Sequence, residues 1–146
     1  MLFQSSPYFF LLVISALVTG ALTLVGYRRR NDSLMPPFIL LMGATTLWTV
    51  CYAGQIAFAD LDTNIIFNAL EYPGIVTVPV AWLLLVLCYT GHGHLVTLRN
   101  TLVLFIVPVL SIFLAVTNPG NLYYPAYLPE VVNGVIVWNF VHGPLF

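Results

Sequence analysis

The sequence predicts an all-α membrane protein with four transmembrane helices, the start of a fifth, and a short extracellular β-hairpin or loop. Three observations lead there. Of 146 residues, 60% are hydrophobic and 6% charged, and the mean hydropathy is +0.98, whereas soluble domains carry roughly a quarter charged residues. The apolar residues gather into runs at about 7–27, 35–59, 65–90 and 101–117, each near or above the roughly 17–25 residues that span a bilayer. The charges alternate by connection: Arg28, Arg29, Arg30 and Arg99 occupy two of them, and Asp60, Asp62 and Glu130 fall where no basic residue occurs. By the positive-inside rule the N-terminus lies outside. A chain this apolar is not a soluble enzyme, and a net charge of -1 provides no basic field for nucleic acid.

The first run competes with a signal peptide. A signal peptide carries its positive charge before the apolar stretch and a small-residue cleavage site after it. Here Met1–Ser6 has no charge and Arg28–Arg30 come at the far end, so the run reads as an uncleaved helix inserted N-terminus out. Ala16 and Gly20, with Ser15, Thr19 and Thr23 on an adjacent stripe, offer a small-residue surface for packing within the bundle or between two copies.

On the second run Thr45, Trp48, Tyr52 and Gln55 share one helical face. That face is expected to point toward protein. The third run carries Glu71 about six residues, or roughly 9 Å, inside its outer end, where an ionised carboxylate needs water, a partner or protonation. Gln55 lies at a similar distance from the connection around Asp60, so an amide and a carboxyl can meet. Glu71 then reads either as a ligand-contacting or protonation-sensitive group or as an interfacial acid, and the pair either as part of a pocket or as interhelical glue. Pro73 and Pro79 interrupt the helical ladder twice, as a hinge or as static kinks, and Pro108 does so in the fourth run.

His92 and His94 fall in the inner Gly91–His94 loop, but two histidines without an acid or cysteine make no metal site. Cys51 and Cys88, about 20 Å apart in depth by helical rise, are packing residues that do not pair. No cofactor motif, nucleophile elbow, Walker loop or zincin helix is present, so this segment is not expected to be an enzyme.

After the fourth run the chain changes character. Asn118-Pro119-Gly120-Asn121 is a turn cluster, and Tyr123, Tyr124 and Tyr127 suit a headgroup region. Val131–Val137 centres an Asn-Gly pair between β-branched residues, the pattern of a hairpin, with an irregular loop as the alternative. Histidine 142 at the outer surface is a weak pH reporter. Gly143-Pro144-Leu145-Phe146 looks like the first turn of another helix, as though the chain were part of something longer.

In order and spacing these features resemble the N-terminal seven-transmembrane region of membrane sensor histidine kinases of archaea and bacteria. The resemblance rests on Tyr27–Arg30 closing the first helix, Leu47–Ala53 in the second, Glu71–Trp82 in the third, Tyr89-Thr90-Gly91 at its inner end, Thr117-Asn118, and Gly143–Phe146 opening the fifth. It covers about Pro7 to Phe146. It implies a plasma-membrane input domain for a small-molecule or membrane signal, acting as a homodimer on a cytoplasmic kinase that passes phosphate to a response regulator. The kinase part and helices five to seven lie outside this sequence. The competing readings are a transporter fragment, which needs polar groups along a mid-membrane path, and a subunit of a multi-subunit membrane complex.

Overall fold

A computed structural model describes residues 7–118, 124–132 and 135–143. The described residues form helices α1 (Pro7–Arg28), α2 (Met35–Ala57), α3 (Leu61–Tyr89) and α4 (Leu98–Thr117), a 3-10 turn at Gly93–Leu95, and strands β1 (Ala126–Val132) and β2 (Val135–Val141). All four helices are long and apolar enough to cross a membrane. Helix is the form the solvent demands, because hydrocarbon offers nothing to an unpaired backbone N–H or carbonyl.

The polar residues between the runs set the helix ends. Pro36 and Pro37 sit in the first turn of α2, where a missing N–H leaves nothing unsatisfied. Asp60 caps α3: its carboxylate accepts from the Thr63 amide (3.2 Å) and the Thr63 hydroxyl (2.7 Å). These bonds hold the Asp60 carboxyl below its ordinary value. Thr97 caps α4 by accepting from the Asn100 amide at 3.3 Å. At the other end Asn118 adopts the left-handed conformation with φ 37° and donates its N–H to the Leu114 carbonyl, which closes the helix.

Two starts differ from the sequence reading. Helix α3 begins at Leu61 rather than near 65, and α4 at Leu98 rather than near 101, because the caps at Asp60 and Thr97 draw polar residues into the first turn. Helix α2 in turn ends at Ala57, short of 59. Its chain is pulled straight by Asn64, whose buried amide donates to the Phe58 carbonyl (2.6 Å) and the Asp60 carbonyl (3.0 Å).

Each helix packs chiefly against its chain neighbours, with α2 between α1 and α3, and α4 beside α3. At Gly74 the backbones of α2 and α3 come close: a Cβ would lie 2.8 Å from both the Ala44 carbonyl oxygen and the Trp48 amide nitrogen. Two backbones touch there. On the other flank the Thr46 hydroxyl donates to the Thr19 hydroxyl at 3.0 Å, and Gly20 faces the Thr46 methyl, so the small-residue stripe of α1 packs against α2. Cys51 is buried and Cys88 half-buried, both as free thiols.

After α4 the chain forms the hairpin rather than an irregular loop. The strands pair antiparallel from Ala126↔Val141 to Val132↔Val135, a register that leaves the Asn-Gly pair between them. The proposed fifth-helix turn at 144–146 and the turn cluster at 119–121 lie outside the described residues. The hairpin sits at the Asp60 end of the helices, where the Trp138 indole donates to the Ala59 carbonyl at 2.9 Å.

Candidate functional site

The residues Phe58 and Asp60 are extended, and a three-residue extended link covers about 10 Å. The chain therefore climbs past the end of α2 before α3 turns back. Glu71, about 15 Å along α3 from Leu61, returns to the level of Gln55 in the last turns of α2. The longer travel along α3 corrects the sequence reading of roughly 9 Å, while the pairing with Gln55 is as expected.

Glu71 is 7% exposed. Its carboxylate accepts from the Gln55 side-chain amide and is also hydrogen-bonded by the Trp48 side chain. Trp48 and Gln55 stand two turns apart on α2, so both reach α3 from one stripe. Burying a carboxylate is costly unless donors surround it, and this pair of donors lets it sit between apolar helices.

The stripe borders α3 and the hairpin, and its members are covered to different degrees. Thr45 and Gln55 are half-buried, but Trp48 and Tyr52 remain 39% and 41% exposed. The buried positions of α2 are mostly small, with Ala44, Cys51, Ala53 and Ala57 beside Leu41 and Ile56, and small side chains allow helices on both flanks to come close. The two large aromatics stand at the margin, and Tyr52 lines a cavity there.

That cavity has a volume of about 450 Å³. Gln55 and Glu71 lie on its helix side, with Asn64, Asn68 and Tyr72 along α3; the hairpin contributes Glu130, Trp138, Asn139 and His142. An aromatic cluster closes one side. Tyr124 is buried, edge-on to Tyr72 at 6.4 Å and to Phe140 at 5.5 Å, with Tyr127 against Phe140 at 5.2 Å. Asn118 fixes this segment with both ends of its side chain, accepting from the Tyr124 amide (2.9 Å) and donating to the Tyr124 carbonyl (3.0 Å). Tyr124 thus belongs to the interior of the cap rather than to a headgroup layer.

A second cavity, about 360 Å³ and apolar, adjoins the first. Leu11 and Leu12 of α1 line it with Val132 of the hairpin, and Tyr52, Ile56 and Val137 line both cavities.

Of the residues singled out in the sequence, Glu71, Gln55 and Trp48 come together and Tyr52 borders the same space. Pro73 lies just beyond Glu71 and Pro79 further down, and α3 runs through both without a break. His92 and His94 are exposed in the connection at the opposite end, with the Thr90 hydroxyl 3.2 Å from His92 Nδ1. Asn64, Asn68, Trp138 and Tyr124 were missed. The first two repeat at helical spacing with Glu71 and form a polar stripe readable once α3 is started at Asp60; the partner of Trp138 is 79 residues away, and no local pattern announces it.

A family model described as the N-terminal 7TM region of histidine kinase matches residues 11–146. No curated protein and no solved structure matches the chain. The chain belongs to that family, and with its four candidate spans it is a multi-pass membrane protein.

Proposed function

As a member of that family, the chain is, we propose, the signal-input part of a two-component sensor histidine kinase, and the cavity under the hairpin is where the signal is received. The observation that carries this reading is the buried Glu71, held by Gln55 and Trp48 beside a space that a separate element, the hairpin, covers. Polar groups converging on a concave space are the usual mark of a ligand site.

The charge pattern orients the site. Arginines at one end and Asp60, Asp62 and Glu130 at the other put the N-terminus and the hairpin outside the cell. A seven-span region begun outside ends inside, where a kinase meets ATP and a response regulator. Occupancy of the cavity favours one arrangement of α2 and α3 over another, and Pro73 and Pro79, where the backbone ladder of α3 is already interrupted, are the positions at which that helix bends. A homodimer in the plasma membrane of an archaeon or bacterium carries the change across. Among the described residues the buried polar side chains lie toward one end, and no mid-membrane path of the kind a transporter needs runs through them.

The test is autophosphorylation of the full-length protein in membrane vesicles. Glu71→Gln should change basal activity or its response to stimulus by about tenfold, the scale of a lost charge-assisted hydrogen bond, while Val107→Ala on the exposed face of α4 leaves it unchanged. Equal activity and response in Glu71→Gln, with normal insertion, would remove the cavity from the sensing role.

A further inference from the structure

The geometry points to an amphiphilic organic cation as the occupant of the cavity: an ammonium head beside Glu71 and Glu130, and an apolar group in the adjoining space against α1. This inference rests on the cavity being the sensory site and adds the chemical class of what fills it.

The first argument is charge. Four of the five acidic residues, Asp60, Asp62, Glu71 and Glu130, belong to the hairpin end of the molecule, and all four arginines to the other. Two of those acids line the cavity, where among the described residues His142 is the one side chain of basic type. Among the described residues of its lining an anion would meet two acidic side chains and no Lys or Arg. A cation is drawn in by the same field.

Membrane topology by itself accounts for the missing arginines, so the walls of the cavity carry the second argument. Tyr52, Tyr72, Tyr124, Trp138 and Phe140 all border it. Aromatic faces are negative and attract ammonium groups within about 6 Å, most strongly when desolvated. Carboxylates combined with aromatic faces select positive charge on an organic framework over a bare metal ion, which wants oxygen ligands. An ionised carboxylate offers about four acceptor positions, and among the described residues Gln55 and Trp48 are the side chains that act on Glu71.

The third argument is the neighbouring space. The apolar cavity adjoins the polar one, with Tyr52, Ile56 and Val137 lining both, and Leu11 and Leu12 line it on the α1 side. One ligand can place its head in the first and its tail in the second. A small polar cation alone would leave the second cavity unused.

The experiment measures binding to the full-length protein in nanodiscs, corrected with protein-free nanodiscs, using hexylammonium, hexanol, hexanesulfonate and methylammonium. Hexylammonium should bind saturably and at least about tenfold more tightly than hexanol or hexanesulfonate, with methylammonium weaker than hexylammonium. Glu71→Gln and the exposed hairpin variant Glu130→Gln should each weaken hexylammonium severalfold, the latter without touching the helix packing. Leu12→Trp, which fills the apolar space, should abolish the advantage of hexylammonium over methylammonium. Hexanol or hexanesulfonate binding as tightly as hexylammonium, with the same dependence on Glu71, overturns the charge class and leaves the cavity as the site. Hexylammonium binding indifferent to both glutamate variants, or no saturable binding by any probe, overturns the inference outright; the sensory reading is then judged separately by autophosphorylation of Glu71→Gln.

Discussion

The two ends of the helices are built by different means. At the arginine end the side-chain hydrogen bonds are local: Arg30 Nη1 to the Tyr27 hydroxyl (2.8 Å), Asp32 Oδ1 to the Leu34 amide (3.1 Å), and Asn100 Nδ2 to the Leu95 carbonyl (2.8 Å). Each of these spans a single turn or loop. At the hairpin end local bonds such as Asp60–Thr63 are joined by bonds that reach across the chain, from Gln55 to Glu71 and from Trp138 to Ala59, beside an aromatic cluster. Local bonds shape a connection, whereas distant ones enclose a space. The difference is why the proposed recognition site is placed at the hairpin end.

The comparison breaks most severely at Gly74. Gly74→Val places branched carbon where a bare Cβ already lies 2.8 Å from the backbone of α2, and backbone cannot step aside as a flexible side chain does. A destabilisation of about 3 kcal/mol is expected, read by denaturant titration in mixed micelles, together with loss of hexylammonium binding as Glu71 separates from Gln55. Gly20→Ala on α1, where the nearest atom is a methyl at 3.7 Å, should leave stability within about 0.5 kcal/mol. Similar destabilisation by both would mean that α2 and α3 are not in backbone contact.

A smaller effect sharpens the account of the hairpin. Trp138→Phe keeps a ring and removes the indole donor to Ala59, so about 1 kcal/mol of docking should be lost. Hydrogen exchange should quicken across Ala126–Val141 and stay unchanged at Tyr27–Asp32. Unaltered exchange in the strands would show that the hairpin is held by its aromatic cluster alone.

The smallest effect is in the cap of α3. Asp60 is held below its ordinary value by the Thr63 hydroxyl and amide, so the folded state favours the ionised form. Its contribution is complete above the ordinary aspartate value near 4, and is lost as pH falls through the lowered folded value. Protection at the first turn of α3, taken relative to the intrinsic amide exchange rate at each pH, should therefore fall on acidification below about pH 4 in the wild type and stay constant there in Asp60→Asn. A flat wild-type profile would show that the carboxylate does not hold the turn.

Much of this could be read in the sequence. Apolar runs of bilayer length, unbroken by charge, specify spans wherever they occur, and the Asn-Gly pair between β-branched residues specifies a two-residue hairpin turn. The approach of Gln55 to Glu71 was also accessible, since both are counted back from one connection. The start of α3 was not read correctly, because Leu61–Asn64 looks like a polar link until Asp60 is recognised as a cap. How far the stripe on α2 is covered is not legible in the sequence either, because Trp48 and Tyr52 stand at the edge of the contact with α3 while Ala44, Cys51, Ala53 and Ala57 are buried beside Leu41 and Ile56.

Composition and charge order by themselves determined the membrane class, the number of spans and the polarity of the two ends, because water and lipid act on each segment independently of its neighbours. Tertiary structure alone decided that Trp138 meets Ala59, that Tyr124 is buried between Tyr72 and Phe140, and that Glu71 borders a concave space lined by α2, α3 and the hairpin. Those outcomes depend on how far the extended link carries α3 beyond α2 and on where the hairpin comes to rest. Such distances arise between elements and are written in no single stretch of chain.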